Sequence, residues 1–396
     1  MSVTAAAGFE AAGIACGLKQ SGVPDLALVA AADRRPVSAA GVFTTNLATA
    51  APVQISREHL RDGRATAVIL NSGNANAATG EQGRRDARRM CELTAHQLGC
   101  APEDVLVCST GLIGVPLSME AIEAGIPKLV AALGSDEAAG QAAADAILTT
   151  DTVRKEARVE FETSGGERAT VGGMAKGAAM LAPAMATMLA VLTTDATSGS
   201  GLHGMLEYVV ERSFNQLVID GCTSTNDTVI LLAGRGVANT PIGQLESATA
   251  QASVSLMSQM AKDAEGATKL VRVRVLGARS SADARVAARA VANSQLVQCS
   301  LNGGDPYWGR VLSELGASGA FIDPEQVDIS YGDSPINRVV VCRDGVAAGH
   351  DAAELTRVMA QGDIHITCDL KIGQSEAMVF TTDLSHAYID ENRRTS

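Results

Sequence analysis

A mixed α/β fold is what this 396-residue sequence predicts, and three patterns carry the prediction. Short apolar runs closed by polar turn residues recur along the chain, as expected of buried strands. Between them lie segments whose apolar positions repeat at helical spacing and end in recognisable caps. No internal repeat, low-complexity linker or charge block interrupts the alternation, so the connections are compact. The length is two to three times a typical domain, which predicts two lobes and a sizeable core.

The elements follow in order. Residues 26–30 (LALVA) and 67–70 (AVIL) read as short buried strands, with 41–45 (GVFTT) as a third between them. Residues 81–98 have a helical pattern that stops at Gly99, a C-cap signal. Ser118 caps a helix running to about residue 133, with Pro127 inside to kink or split it, and Ser135 caps another to about 148. Residues 105–107 are strand-like. The run 157–162 alternates apolar and polar side chains, turns at Gly165-Gly166 and returns through 169–171, a hairpin pattern. Beyond it the spacing predicts helices near 202–216, 242–262 and 282–293, and strands at 269–275, 365–370 and 377–381.

Composition narrows the function. The net charge is −12 and aromatic residues make up only 3% of the chain. Nucleic-acid binding needs clustered cations and stacking rings, so it is disfavoured and no nucleic-acid partner is expected. The eight cysteines are dispersed, without a C-x-x-C pair or zinc-finger spacing. Together with the absence of a charged, apolar, cleavable leader, this predicts a cytoplasmic protein with reduced, mostly buried thiols. The longest apolar stretch, 180–192, contains Pro183 and is too short to span a bilayer, so no membrane association is expected.

Several motifs bear on chemistry. In Lys176-Gly-Ala-Ala-Met-Leu-Ala-Pro-Ala-Met-Ala-Thr-Met-Leu189, one threonine interrupts small and apolar residues. Thr187 in such a run is ordinarily a strand residue. A threonine becomes a strong nucleophile when its own α-amine is the base, which requires chain cleavage between Ala186 and Thr187. A small preceding residue and a rigid following strand suit that cleavage. Cys108-Ser-Thr-Gly-Leu-Ile-Gly114, at a strand end, can direct a hydroxyl and an N–H at one oxyanion, or simply form a turn. Asn71-Ser-Gly-Asn-Ala-Asn76 can orient a polar substrate or build an Asx-rich turn. In residues 219–228, Asp220 and Asp227 are too sparse for a convincing oxygen-ligand metal loop, and a structural loop fits better. Glu265, before a strand, is placed to meet an ammonium group or to sit solvated in its loop. Asp305 and Arg310 flank the single tryptophan, Trp308, as a turn-anchoring pair. No phosphate loop, dinucleotide fingerprint or His-based zinc motif is present.

Taken jointly, these pieces resemble the ornithine acetyltransferase family, the bifunctional glutamate N-acetyltransferases of arginine biosynthesis. The resemblance rests on Gly8-Phe-Glu-Ala-Ala-Gly13, Asn71–Asn76, Ser109-Thr-Gly111, Thr149-Thr-Asp-Thr152, Lys176-Gly177, Ala186-Thr187-Met-Leu189, Thr223-Ser-Thr-Asn-Asp-Thr228, Glu265-Gly266 and Asp305-Pro306, in that order, and covers essentially the whole chain. It implies a two-lobed, layered αββα-type sandwich resembling N-terminal nucleophile hydrolases but with distinct connectivity. It also implies self-cleavage into an α chain, 1–186, and a β chain, 187–396, held together as a heterotetramer. By position Thr187 matches the nucleophile, and Thr110 and Gly111 the oxyanion hole. Thr149, Lys176, Thr187, Glu265, Asn392 and Ser396 match substrate-binding positions. The chain departs from many members at Ala184, Cys222 and Tyr307. Its tail is one residue short, so Thr395 competes with Ser396.

The implied reaction moves the acetyl group of N-acetylornithine to glutamate through an acetyl-threonine, with no metal or organic cofactor. Acetyl-CoA stays open as a further donor. Lys176 and Glu265 can meet carboxylate and ammonium groups, without the sequence deciding which sees which. The alternatives are a monofunctional ornithine acetyltransferase, a related N-terminal-nucleophile amidopeptidase, and a non-catalytic binding protein of the same fold.

Overall fold

The computed structural model describes residues 2–180, 188–197 and 200–393, which form two compact units. Of the described residues, the first unit comprises those up to 215 and 222–260; the second comprises 216–221 and 261–393. This division does not follow the predicted α and β chains, since the first unit takes residues from both sides of position 187.

In the first unit the chain forms β1 (Phe9–Ile14), β2 (Leu26–Ala31), β3 (Val37–Phe43), α1 (Ala51–His59), β4 (Arg64–Ala65), β5 (Ala67–Asn74), α2 (Gly80–Leu98) and β6 (Val105–Leu112). There follow α3 (Met119–Ala131), α4 (Glu137–Ala146), β7 (Lys155–Glu162), β8 (Arg168–Lys176), β9 (Leu189–Ala196), α5 (Leu202–Glu211), β10 (Thr228–Val237) and α6 (Ile242–Lys262). One sheet has the order β1-β2-β5-β6, the other β4-β3-β10-β9-β8-β7. Strand alternation sorts the side chains between layers. Val68, Leu70 and Leu106 of the first sheet share a core with Met174, Val191 and Ile230 of the second. Their neighbours Ile69 and Val107 point the other way, onto Ile55, Met90 and Ile122 of the helices. Outside the second sheet, α5 packs on β3, and Leu256 of α6 lies over Gly173. The unit is therefore an αββα sandwich, as the family resemblance implied.

The second unit contains β11 (Leu270–Ala278), α7 (Ser281–Ala292), α8 (Gln295–Asn302), α9 (Trp308–Ala317), β12 (Asp328–Gly332), β13 (Arg338–Arg343) and β14 (Val346–Ala347). It closes with α10 (Ala352–Met359), β15 (Asp363–Asp369), β16 (Ser375–Thr382) and α11 (His386–Glu391). Its sheet has the order β14-β13-β12-β15-β11-β16. Val271, Val273, Ile329 and Ile366 on one face of that sheet join Ala288, Leu301, Val311 and Leu355 of the helices in a single core. Arg310 and Asp305 approach to 3.6 Å at the start of α9, as the turn-anchoring pair predicted.

Local departures have local causes. β3 starts four residues earlier than the GVFTT run suggests, because residues 38–43 pair with β10 and Val37 with β4. α4 is capped by Asp136, whose carboxylate accepts from the Ala139 N–H, and not by Ser135. Ser118 does precede α3, but its side chain makes no capping bond, and α3 runs unbroken through Pro127. The helix predicted over 202–216 ends at Glu211 and continues as a short 3-10 turn, Phe214–Gln216. The hairpin has the predicted turn, with Glu162 paired to Arg168. Cys91, Cys108, Cys342 and Cys368 are buried, whereas Cys222 and Cys299 are exposed, so burial of the thiols is less general than composition suggested.

Candidate active site

β5 and β6 run parallel, and their C-terminal ends carry the first group of candidate residues. The ladder is irregular there: Asn74 faces both Thr110 and Leu112, so Gly111 sits at a bulge. Bulges re-aim side chains beside functional sites. Gly111 has φ +132°, and a Cβ on it would lie 2.3 Å from the Gly73 carbonyl carbon. Only glycine fits this position. Thr110 is buried, and its hydroxyl has no hydrogen-bond partner among the described residues. A buried orphan hydroxyl is costly unless a ligand completes it.

The surrounding amides hold this strand end. The Ser109 hydroxyl donates to Asn71 Oδ1 at 2.6 Å, and Asn71 Nδ2 donates to the Asn74 carbonyl at 2.8 Å. Asn226 Nδ2 donates to the carbonyls of Ala75 and Ser109, at 2.6 and 2.9 Å. The amide-rich turn thus has a scaffolding role, the second of the two readings open from sequence. Asn226 was not singled out individually; its place between hydroxyl residues before β10 was the only signal.

A buried ion cluster forms the second element of this unit. Asp151 accepts from Lys155 Nζ at 2.5 Å and from the Gly177 N–H at 2.7 Å. Lys176 Nζ stands 3.6 Å from its other oxygen, which also accepts from the Thr149 N–H at 3.2 Å. Burial alone would raise the carboxyl's pKa, but Lys176, Lys155 and these hydrogen bonds outweigh it and hold the carboxyl far below the usual range. Two ammonium groups share one carboxylate, which leaves Lys176 able to meet a second anion. Asp151 and Lys155 were not recognised individually from sequence, although Asp151 lies inside the Thr149–Thr152 motif.

Asp227 is fully buried directly before β10. Its Oδ1 accepts from the Met188 N–H at 2.9 Å, and Oδ2 lacks a partner among the described residues. Burial pushes this carboxyl well above the ordinary value, against the weaker pull of the Met188 N–H, Ser224 and Lys176. In the second unit, Glu265 is buried and accepts from Asn392 Nδ2 at 2.7 Å, so these two predicted residues are joined directly. No group of three or more His, Cys, Asp or Glu side chains placed to hold a metal ion occurs among the described residues, Asp220 and Asp227 included. Ala186, Thr187 and Ser396, with the competing Thr395, lie outside the described residues. No described helix is long and apolar enough to cross a membrane.

The ArgJ family pattern matches residues 10–395. The arginine biosynthesis bifunctional protein of Symbiobacterium thermophilum is 45% identical over 399 residues, covering 98% of this chain and 97% of its own. That of Mycobacterium leprae is 46% identical, covering 98% of this chain and 94% of its own. A crystal structure of ornithine acetyltransferase complexed with ornithine, from Mycobacterium tuberculosis, is 46% identical over 46% of this chain and 94% of its own, with a TM-score of 0.44.

The αββα sandwich, on a chain with these relatives, defines an enzyme of arginine biosynthesis. The chain belongs to the ArgJ family.

Proposed function

We propose that this protein cleaves itself between Ala186 and Thr187 and then moves the acetyl group of N-acetylornithine to glutamate through an acetyl-Thr187 ester. The orphan hydroxyl of Thr110 beside Gly111 is the observation that carries the reading, because it is a buried donor awaiting an acceptor. In the first half-reaction Thr187 Oγ attacks the acetyl carbonyl and its α-amine takes the hydroxyl proton. That amine titrates near pH 8 when unperturbed, which suits a base at neutral pH. Thr110 Oγ and the Gly111 N–H receive the oxyanion. Collapse breaks the C–N bond, and the proton returns to the departing amine of ornithine. Glutamate's amine then attacks the ester, loses a proton through the same α-amine, and leaves as N-acetylglutamate with the Thr187 hydroxyl restored.

Recognition divides by charge. Lys176, with Asp151 already shared, suits a substrate carboxylate, Thr149 adds a hydroxyl beside it, and Glu265 with Asn392 suits an ammonium group. Ser396, or Thr395, would complete the substrate contacts from the tail, as the family resemblance suggests. The relatives' designation as bifunctional supports acetyl-CoA as an additional donor to glutamate. The α and β chains would stay associated, two of each forming the heterotetramer, in the cytoplasm.

Thr187→Ala tests the reading. A single full-length chain with no acetyl transfer is expected on a denaturing gel and in a coupled assay; clean cleavage or wild-type transfer would overturn it. Transfer to glutamate well above hydrolysis of the acetyl-enzyme separates this function from an amidopeptidase. Activity with N-acetylornithine alone would mark a monofunctional enzyme.

A further inference from the structure

Lys19 has no role in the chemistry above, yet its contacts place it beside Gly73 and Leu148, next to the residues already described. The Asp25 carboxylate, fully buried, accepts the backbone N–H groups of Cys16, Gly17, Leu18 and Lys19 at 2.7–3.1 Å, which fixes the loop between β1 and β2. From this loop the Lys19 stem passes over Gly73, where an added Cβ would lie 3.0 Å from Lys19 Cγ. Gly73 is the residue whose backbone abuts Gly111. The Lys19 ammonium donates to the carbonyls of Pro24 and Leu148, at 2.9 and 2.7 Å, and Leu148 immediately precedes Thr149. Lys176 and Asp151 are close enough to act on its charge, Lys176 by repulsion and Asp151 by attraction.

Lys19 and Lys176 thus both stand near Asp151, whereas Asp25 is turned to the backbone of its own loop. An ammonium has three donors; two of Lys19's are used, and one is uncommitted among the described residues. We propose that Lys19, with Lys176, binds the α-carboxylate that both amino-acid substrates carry. This rests on the acetyl-transfer reading above. The choice of the α-carboxylate follows from geometry: it lies two bonds from the acylated nitrogen, whereas a side-chain group lies farther off. A cation reaching in past Gly73 beside Gly111 is therefore placed for the nearer group. The same argument explains how one site accepts side chains of opposite charge, since Lys19 reads only what the substrates share.

The test begins with wild-type enzyme and both substrates. Absence of transfer there would sink the acetyl-transfer reading itself, independently of Lys19. With transfer established, Lys19→Met should raise KM for N-acetylornithine and for glutamate by similar factors, roughly ten- to a hundredfold for one charged hydrogen bond. kcat should stay within a few-fold, and Lys19→Arg should restore part of the loss in KM. N-acetylputrescine, which is N-acetylornithine without its carboxylate, should inhibit wild type and Lys19→Met with equal Ki. A fall in kcat at unchanged KM would make Lys19 only a brace for the Leu148 carbonyl. A rise in KM confined to glutamate, or a Ki for N-acetylputrescine that rises as steeply, would also overturn the proposal. Should the methionine variant not accumulate as folded protein, Lys19→Gln is read by the same pair of KM values.

Discussion

Asp151→Asn is the perturbation that bears most directly on how this site is held. The wild-type carboxylate faces ammonium groups at 2.5 and 3.6 Å, with the Lys155, Lys176 and Asp151 side chains all essentially inaccessible to solvent. At an effective dielectric of about 20, unit charges at such separations attract by roughly 4–7 kcal/mol each, before desolvation of several kcal/mol per ion is subtracted. Asparagine keeps the shape and an acceptor but removes the negative charge that both buried ammoniums face. Breaking a buried pair in this way typically costs about 3–5 kcal/mol. Because the folded-state pKa of Asp151 is depressed, the stabilisation is complete above the unfolded carboxyl value near 4 and is lost as pH falls toward the lower folded value. Urea melts of wild type and variant at pH 7 and at stepwise lower pH should show that gap at neutrality, shrinking below about pH 4. A neutral-pH gap under about 1 kcal/mol, or one that widens on acidification, would refute the ion-cluster account.

Four further outcomes follow from the same geometry. Thr110→Val should lower the transfer rate by about 100-fold or more while leaving stability unchanged or slightly higher, since the hydroxyl it removes has no partner among the described residues; kinetics beside thermal melts check both halves. Asp227→Asn keeps an acceptor for the Met188 N–H and should match wild type near pH 4, then exceed it in stability as pH rises, because a raised folded pKa penalises the wild type wherever the unfolded carboxyl ionises. Asp227→Leu, which leaves that N–H unpaired, should lose about 1–3 kcal/mol and slow chain cleavage, read by melts and a gel time course. Gly266 has φ +64°, and a Cβ there would lie 2.2 Å from the Tyr388 nitrogen, so Gly266→Ala should displace α11, disrupt the Glu265–Asn392 contact and raise substrate KM in steady-state assays.

Strands and helices with strong local patterns were legible in the sequence. α6 has the bounds its periodicity predicts, and α2 ends at Gly99 in the left-handed conformation the C-cap reading requires. β10 was not legible. Its opening Thr228 closes a run of hydroxyl and acidic residues that reads as loop, and the strand exists because β3 and β9 flank it on both sides. β4 and β14, of two residues each, have too little pattern to read. Within the site, Thr110 and Gly111 were visible through their motif, but the grounds for their proposed role, a bulge and a hydroxyl without a partner among the described residues, arise only when β5 and β6 pair. Asp151, Lys155 and Lys19 were not separable from ordinary surface charges, because burial and mutual distance are tertiary facts. Glu265 and Asn392 are 127 positions apart, and no local rule joins them.

The order of strands in the second sheet has a kinetic consequence. β9 and β10, which follow position 187, lie between β3 and β8, which precede it. A cut at 186–187 therefore turns the middle of one sheet into a joint between two polypeptides without altering any of its ladders. The uncut chain forms that sheet by a unimolecular process; after cleavage the same sheet can be regained from the unfolded state only by encounter of two fragments. Under the proposed cleavage, folding must come first and the cut second, and the cut enzyme, once unfolded, should recover at a rate set by protein concentration, whereas the uncut Thr187→Ala chain recovers independently of it.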